Sequence, residues 1–156
     1  MQRDGYYMQF DADDILHPDF CKHVLEDHNG RGYLVSQGHF VALATKQVIP
    51  LGDFGFYCGS CAAVYVDFRQ NRSFVALLNQ HRNHNEIAAY CELYERPLAD
   101  IPFPAVLYIT GHGENMYGRE GHLEGRTRQL IKQALTDEDA IVVLTKYDVS
   151  WDILTE

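Results

Sequence analysis

Three aspartates follow an apolar stretch near the start of the chain, at positions 11, 13 and 14. Residues 6–10, Tyr-Tyr-Met-Gln-Phe, predict a buried strand, and ligands of open α/β sheets bind beyond the carboxyl ends of strands. Because residues two apart in extended chain point the same way, we expect Asp11 and Asp13 to share a face, with Asp14 pointing elsewhere or starting a turn. Paired carboxylates suit Mg²⁺ or Mn²⁺. The alternative is a solvated turn that caps the next helix.

A second candidate is the glycine-rich segment 111–125, which has arginines in or beside it. Such a loop can close over a diphosphate, and arginine can bind its oxygens through paired hydrogen bonds. An ordinary flexible surface loop explains the same composition. The arginines are Arg119, Arg126 and Arg128, and we take Arg126 as the candidate for binding the diphosphate.

Cys58 and Cys61 form the pattern Cys-Gly-Ser-Cys and allow three interpretations. A thiol-disulfide pair belongs at the start of a helix, where the helix dipole lowers the pKa of a thiol. The following residues 62–68 instead predict a strand, which disfavours redox chemistry. A structural zinc site needs two further ligands, and the sequence has no second pair of this spacing. Small buried thiols remain as the third interpretation.

The elements that must position these groups alternate between strands and helices. A helix is predicted from Pro18 to Asn29-Gly30, with an apolar face that includes Leu25, and another is predicted near Glu86. The remaining predicted elements are strands at 33–36, 40–45, 62–68, 106–110 and 141–144, a loop at 51–59 and a helix at 126–135. The pattern predicts an α/β fold, a mixed sheet with flanking helices, in a single domain over residues 1–156.

Composition limits the partners and the compartment. The formal charge of −9 makes nucleic acid a poor partner, although a bound cation can offset charge locally for a nucleotide. No apolar run has the length of about 18 residues that spans a membrane. Four cysteines are few for a disulfide scaffold, so we expect reduced thiols in a cytoplasmic protein. The sequence leaves the oligomeric state open.

Residues 7–19 resemble the metal-binding segment of GT-A fold glycosyltransferases, in which an apolar strand leads into Asp-Ala-Asp-Asp and then a short helix starting with Pro-Asp. Residues 57–64, with Gly59 and Ser60, resemble the turn and strand that lie near the donor sugar and acceptor in that group. Residues 102–115 resemble the tail of some bacterial glycosyltransferase-like proteins. The resemblance covers most of the chain, and 11–18 is its most specific part.

The resemblance implies roles for individual residues. Asp11 contacts the nucleotide ribose and supports the metal, Asp13 binds the metal that holds the donor diphosphate, and Asp14 supports them or faces the sugar. His112 is the implied third metal ligand, with His122 as the fallback. For inversion of the sugar, a general base is needed near the acceptor hydroxyl, and we take Glu86 as that base with His84 next. Simple capping of the helix start by Glu86 is the alternative.

A GT-A domain normally has about two βα units before this motif, whereas ten residues precede Asp11 here. The expectation is therefore the C-terminal, metal and acceptor half of such a domain, as a fragment of a larger domain or as a reduced relative. The expected function is metal-dependent transfer of a sugar from a nucleoside diphosphate sugar to a glycan or small-molecule hydroxyl, with Mn²⁺ or Mg²⁺. A non-catalytic binding or assembly module that kept the fold is the rival, and a thiol-disulfide protein is the third candidate.

Overall fold

The computed structural model describes residues 4–67, 69, 84–111 and 130–155. The strands there are β1 (Asp4–Met8), β2 (Ile15–Leu16), β3 (Gly32–Leu34), β4 (Gly38–Ala42), β5 (Gln47–Leu51), β6 (Ala62–Asp67), β7 (Ala99–Asp100) and β8 (Val106–Thr110). The α-helices are α1 (Asp19–Asp27), α2 (Ile87–Leu93), α3 (Asp137–Lys146) and α4 (Trp151–Thr155). Short 3₁₀ turns cover Leu43–Thr45, Phe54–Phe56, His84–Glu86 and Ile131–Gln133.

The strands form two four-stranded sheets, which confirms the predicted α/β class with mixed strand directions. The first sheet has the order β1-β6-β3-β7, and the second has the order β2-β8-β4-β5. Each sheet contains one parallel pair, β3 with β7 and β4 with β8, among antiparallel ones. The segment between β1 and β2 therefore carries the chain from the first sheet to the second.

The second sheet is covered on both faces, because every residue of β4 and β8 is buried. Alternate side chains of a strand point to opposite faces. Phe40 and Tyr108 accordingly join the larger core, which includes residues of α1 and the first sheet. Val41 and Leu107 join a separate core with residues of α3. The second sheet is thus a central layer.

Helix α1 begins where its sequence predicts. Pro18 stands at the N-cap with helical backbone angles, and His17 Nδ1 accepts a hydrogen bond from the Asp19 N–H at 3.1 Å. The C-cap residue His28 has a φ of 52°, in the left-handed region that ends helices. Leu25, which was assigned to the apolar face, is exposed.

The prediction of a strand at 141–144 is wrong, because these residues lie inside α3. Thr136 caps this helix by accepting a hydrogen bond from the Asp139 N–H at 3.2 Å, and acidic residues fill its first turn. The burial of residues 141–144 also follows a helical pattern. Leu144 is buried whereas Ile141 and Val142 are each 56% exposed.

Other elements also differ from the sequence pattern. β1 runs from Asp4 to Met8 as a partly exposed edge strand rather than a buried one over 6–10. The strand predicted at 40–45 stops at Ala42, and the 3₁₀ turn Leu43–Thr45 follows. β5 was not predicted; it contains Pro50 and is an edge strand, where proline is tolerated. Of the helix predicted at 126–135, only residues 130–135 are described.

Helices long and apolar enough to cross a bilayer do not occur in the described ranges.

Candidate metal site

The pairing of β1 with β6 brings the acidic segment to the Gly-Ser loop. In this antiparallel pair, Met8 lies opposite Ala63. Continuing the same register three residues beyond Met8 places Asp11 opposite Ser60. The contact is present, since the Asp11 N–H donates to Ser60 Oγ at 2.9 Å. Two segments 49 residues apart in sequence therefore meet at one point.

The three aspartates lie on a turn rather than on extended chain. The Asp14 N–H donates to the Asp11 carbonyl at 3.2 Å, which closes the turn. The expected sharing of a face by Asp11 and Asp13 assumed an extended backbone, and that premise is wrong because β1 already ends at Met8. Asp14 begins the approach to β2 and becomes the buried member of the group, with 7% of its surface exposed.

Asp14 is held by two hydrogen bonds to one of its oxygens. Ser60 Oγ donates to Asp14 Oδ2 at 2.6 Å, and Cys58 Sγ donates to the same oxygen at 2.9 Å. Asp14 Oδ1 is also buried, yet it has no hydrogen-bond partner among the described residues. A buried carboxylate oxygen without a donor or a cation is costly.

The pKa of Asp14 is raised from 3.8 to about 6, mainly by burial and to a smaller extent by the charges of Asp11 and Asp13. The hydrogen bonds from Cys58 and Ser60 act in the opposite direction without cancelling the effect of burial. In the absence of a cation the site therefore disfavours the carboxylate form, and positive charge close to Asp14 would relieve this cost.

The ligand atoms of Asp11, Asp14 and Cys58 all lie within 4.8 Å of one another. Burial raises the pKa of Cys58 strongly, and the neighbouring Asp14 raises it further, so its sulfur remains a protonated donor. Thiolate, not thiol, ligates metals. The group therefore offers carboxylate oxygens, which suit Mg²⁺ or Mn²⁺ better than soft ions.

Gly59 makes room for one of these carboxylates. A side-chain carbon added at Gly59 would lie 3.0 Å from Asp11 Oδ2, which is tighter than ordinary contact. A side chain at this position would therefore require the Asp11 carboxylate to shift by a few tenths of an ångström.

Tyr108 brings the second sheet to this site. It lies on β8, and only 7% of its surface is exposed. Burial raises the pKa of its hydroxyl, and the neighbouring acidic groups of Cys58, Asp14, Asp13 and Asp11 raise it further. The acidic turn and the 58–60 loop therefore meet where the two sheets adjoin.

Some of the predicted site residues come together and others do not. Asp11, Asp14, Gly59 and Ser60 form one group, and Asp13 lies in the same turn, close enough for its charge to raise the pKa of Asp14. His84 and Glu86 begin and end the 3₁₀ turn before α2; His84 is half-buried and Glu86 is exposed. The remaining candidates lie outside the described residues: His112, His122, Arg119, Arg126 and Arg128.

Cys58 and Cys61 are free thiols, and both are buried. The predicted strand follows them as β6, so they do not start a helix. Burial raises the pKa of Cys61 to about 11, and that of Cys58 rises as well. A redox pair needs a thiol with a lowered pKa, so this geometry disfavours thiol-disulfide chemistry.

Two contributors to the site were missed from the sequence. Cys58 was considered for redox chemistry, for zinc and as a buried thiol, but not as a hydrogen-bond donor to Asp14, and Tyr108 was considered only as part of a strand and of the segment 102–115. The spacing of Cys58 and Ser60, two residues apart, was the available signal, because such residues can reach the same partner. For Tyr108 the sequence offered no signal, since its proximity to Asp14 depends on how the two sheets pack.

The raised pKa of Asp14 predicts a specific dependence of stability on pH for the metal-free chain. Folded Asp14 holds a proton between pH 3.8 and about 6, where the unfolded chain has lost it. Its contribution to the free energy of unfolding is therefore largest below this window and falls through it as pH rises, by about 3 kcal/mol in total. Measured by urea unfolding, the free energy of unfolding of the wild-type chain should therefore fall relative to that of Asp14→Asn as pH rises through this range. Parallel curves for the two chains would contradict the assignment.

The chain matches no family model, no curated protein and no solved structure.

Proposed function

We propose that this chain carries the metal and donor site of a GT-A type glycosyltransferase, which moves a sugar from a nucleoside diphosphate sugar to an acceptor hydroxyl. The observation that carries the proposal is the buried Asp14, whose Oδ1 has no partner among the described residues. It lies in the segment that resembles the metal-binding motif of that group. A buried carboxylate of this kind is stabilised by a cation.

The residues present fit a hard divalent cation. Asp11 and Asp14 would hold it through their oxygens, since these atoms lie within 4.8 Å of one another. Mn²⁺ or Mg²⁺ in such a site supplies the positive charge that a departing diphosphate requires. Cys58 donates its hydrogen to Asp14, so its role is to orient the carboxylate.

The resemblance and the geometry favour different aspartates as the main metal ligand. The resemblance implies Asp13 as the main metal ligand and Asp11 on the ribose side, with Asp14 in support. The contacts of Asp14 favour it as a ligand in its own right. Asp13 stays a candidate, because its charge acts on both Asp14 and Tyr108. His112 as a further ligand and Arg126 on the diphosphate also remain part of the proposal.

The four free cysteines support a cytoplasmic location for this enzyme. The rival function is a binding or assembly module that kept the fold without donor binding. The two differ in one measurable property, which is binding of a nucleoside diphosphate that depends on the metal.

Calorimetric titration of Mn²⁺, alone and with UDP or GDP, tests the proposal. We expect Mn²⁺ to bind and to strengthen the binding of one nucleotide, and we expect Asp13→Asn to weaken that coupling. Asp19→Asn is the matched control, because it removes the same charge from a position at which 72% of the side-chain surface is exposed. Failure of both nucleotides to bind with or without Mn²⁺ would favour the binding module.

A further inference from the structure

The two oxygens of the Asp14 carboxylate have different surroundings. Oδ2 accepts hydrogen bonds from Ser60 Oγ at 2.6 Å and from Cys58 Sγ at 2.9 Å. A carboxylate oxygen has two lone pairs, so these two donors occupy both of them. Oδ1 is buried, and it has no hydrogen-bond partner among the described residues. The oxygen of Asp14 that can ligate a cation is therefore Oδ1 alone.

The two donors are themselves fixed by further hydrogen bonds. Ser60 Oγ accepts from the Asp11 N–H at 2.9 Å, and its only hydrogen is directed at Asp14. The Ser60 N–H donates to Cys58 Sγ at 3.3 Å, and the thiol hydrogen is likewise directed at Asp14. The exposed fraction is 0% for Ser60 and 1% for Cys58, so water does not compete for these bonds. The carboxylate therefore cannot turn to present both oxygens to one ion.

Divalent cations differ in their use of carboxylates. Mg²⁺ requires a nearly octahedral shell and is usually bound by one or two carboxylates, with waters and substrate phosphates as the remaining ligands. Mn²⁺ accepts the same kind of octahedral oxygen shell. Ca²⁺ takes roughly six to eight oxygens and commonly uses both oxygens of one carboxylate. A carboxylate that is restricted to one oxygen removes the bidentate contact that helps to fill the larger shell of Ca²⁺.

We infer that Cys58 and Ser60 make this site selective for Mg²⁺ and Mn²⁺ over Ca²⁺, because they restrict Asp14 to ligation through one oxygen. The inference rests on the proposed metal site and adds which ion the site rejects and which residues cause the rejection. Cys58 is the more informative residue to change. Ser60 also binds Asp11, so its loss would disturb both carboxylates, whereas loss of the Cys58 thiol frees one lone pair of Asp14 Oδ2.

Calorimetric titration with the metal ions alone tests the inference. The wild-type chain should bind Mg²⁺ and Mn²⁺ more tightly than Ca²⁺. Cys58→Ala should reduce the ratio of the Ca²⁺ Kd to the Mn²⁺ Kd by about tenfold, the lower end of the effects of residues that orient a metal ligand. Cys58→Ser restores a donor to the same oxygen and should restore the ratio. Cys58→Val fills the space of the thiol without a donor, so it should behave as Cys58→Ala does if the hydrogen bond matters.

Cys61→Ala is the matched control. Cys61 is also 1% exposed and lies in the same segment, but its Sγ donates to the His84 carbonyl instead of Asp14. This variant should keep the wild-type ratio of affinities. Equal loss of selectivity in Cys61→Ala and Cys58→Ala would show that packing controls the ratio, and it would overturn the inference. A wild-type chain that binds Ca²⁺ as tightly as Mn²⁺ would overturn it as well.

The outcomes for metal selectivity and for sugar transfer are separable. If the chain prefers Mn²⁺ over Ca²⁺ through Cys58 but binds neither UDP nor GDP in the presence of Mn²⁺, sugar transfer fails and the selectivity stands. If Ca²⁺ supports nucleotide binding as well as Mn²⁺ does, the selectivity fails and the proposed donor site stands. Failure of all three cations to bind would overturn both.

Discussion

Replacing Asp14 with asparagine should weaken Mn²⁺ binding by about 100-fold or more while making the metal-free chain more stable at neutral pH. The side-chain oxygen of asparagine can still accept the hydrogen bonds of Ser60 and Cys58. The amide carries no charge, so the cation loses its buried ligand. The same change removes the cost of keeping a carboxylate ionised where burial raises its pKa to about 6.

The two effects have opposite signs, which separates this prediction from ordinary damage to the fold. A variant that merely unfolds loses both binding and melting temperature, whereas Asp14→Asn should lose binding and gain a few degrees. Calorimetry gives the affinity for Mn²⁺, and thermal unfolding without metal gives the stability. Unchanged affinity for Mn²⁺ would remove Asp14 from the site. A lower melting temperature would show that the ionised Asp14 carboxylate does not destabilise the folded chain.

Replacing Gly32 with alanine should lower the free energy of unfolding by about 3 kcal/mol or more. Gly32 has a φ of 115°, which side chains rarely tolerate. An added Cβ would lie 2.4 Å from the Ala63 carbonyl oxygen and 2.8 Å from Val64 Cα. These are backbone atoms of β6, so the contact cannot be relieved by rotating a side chain. The pairing of β3 with β6 must shift.

Thermal unfolding measures this effect, and a loss of that size corresponds to about 6–12 °C for a chain of this length. Gly30→Ala is the matched control. An added carbon at Gly30 meets no atom within 4 Å, and the substitution lies two residues away on the same connection. Equal melting temperatures for the two variants would mean that the backbone of β6 can move away from residue 32 without loss of stability, which would contradict the prediction.

Features set by neighbouring residues were predictable from the sequence. The start of α1 at Pro18 depends on local backbone preferences, and β8 depends on a run of β-branched and aromatic residues. The acidic segment 11–14 was recognised from its residue types. In contrast, the helix α3 was mistaken for a strand, because a short apolar run has no decisive period and the capping Thr136 was overlooked.

Features set by distant contacts were not predictable. The burial of Asp14 depends on Ser60, which lies 46 residues further along the chain. No local pattern distinguishes a solvated aspartate from one that is enclosed by another loop. The same limit applies to Tyr108, whose neighbours come from the first sheet. The sequence thus identified the acidic group but not which of its members would be buried.

The position of Asp11 opposite Ser60 has a consequence for which changes the site can tolerate. The contact follows from the β1–β6 register, so a substitution within either strand leaves it in place as long as the strands still pair. An insertion or deletion of one residue in β1 would move the acidic turn relative to Ser60 and also reverse which side chains face the core. Variation in length is therefore far more harmful here than variation in residue type, and the distance in residues from Met8 to Asp11 is itself part of the site.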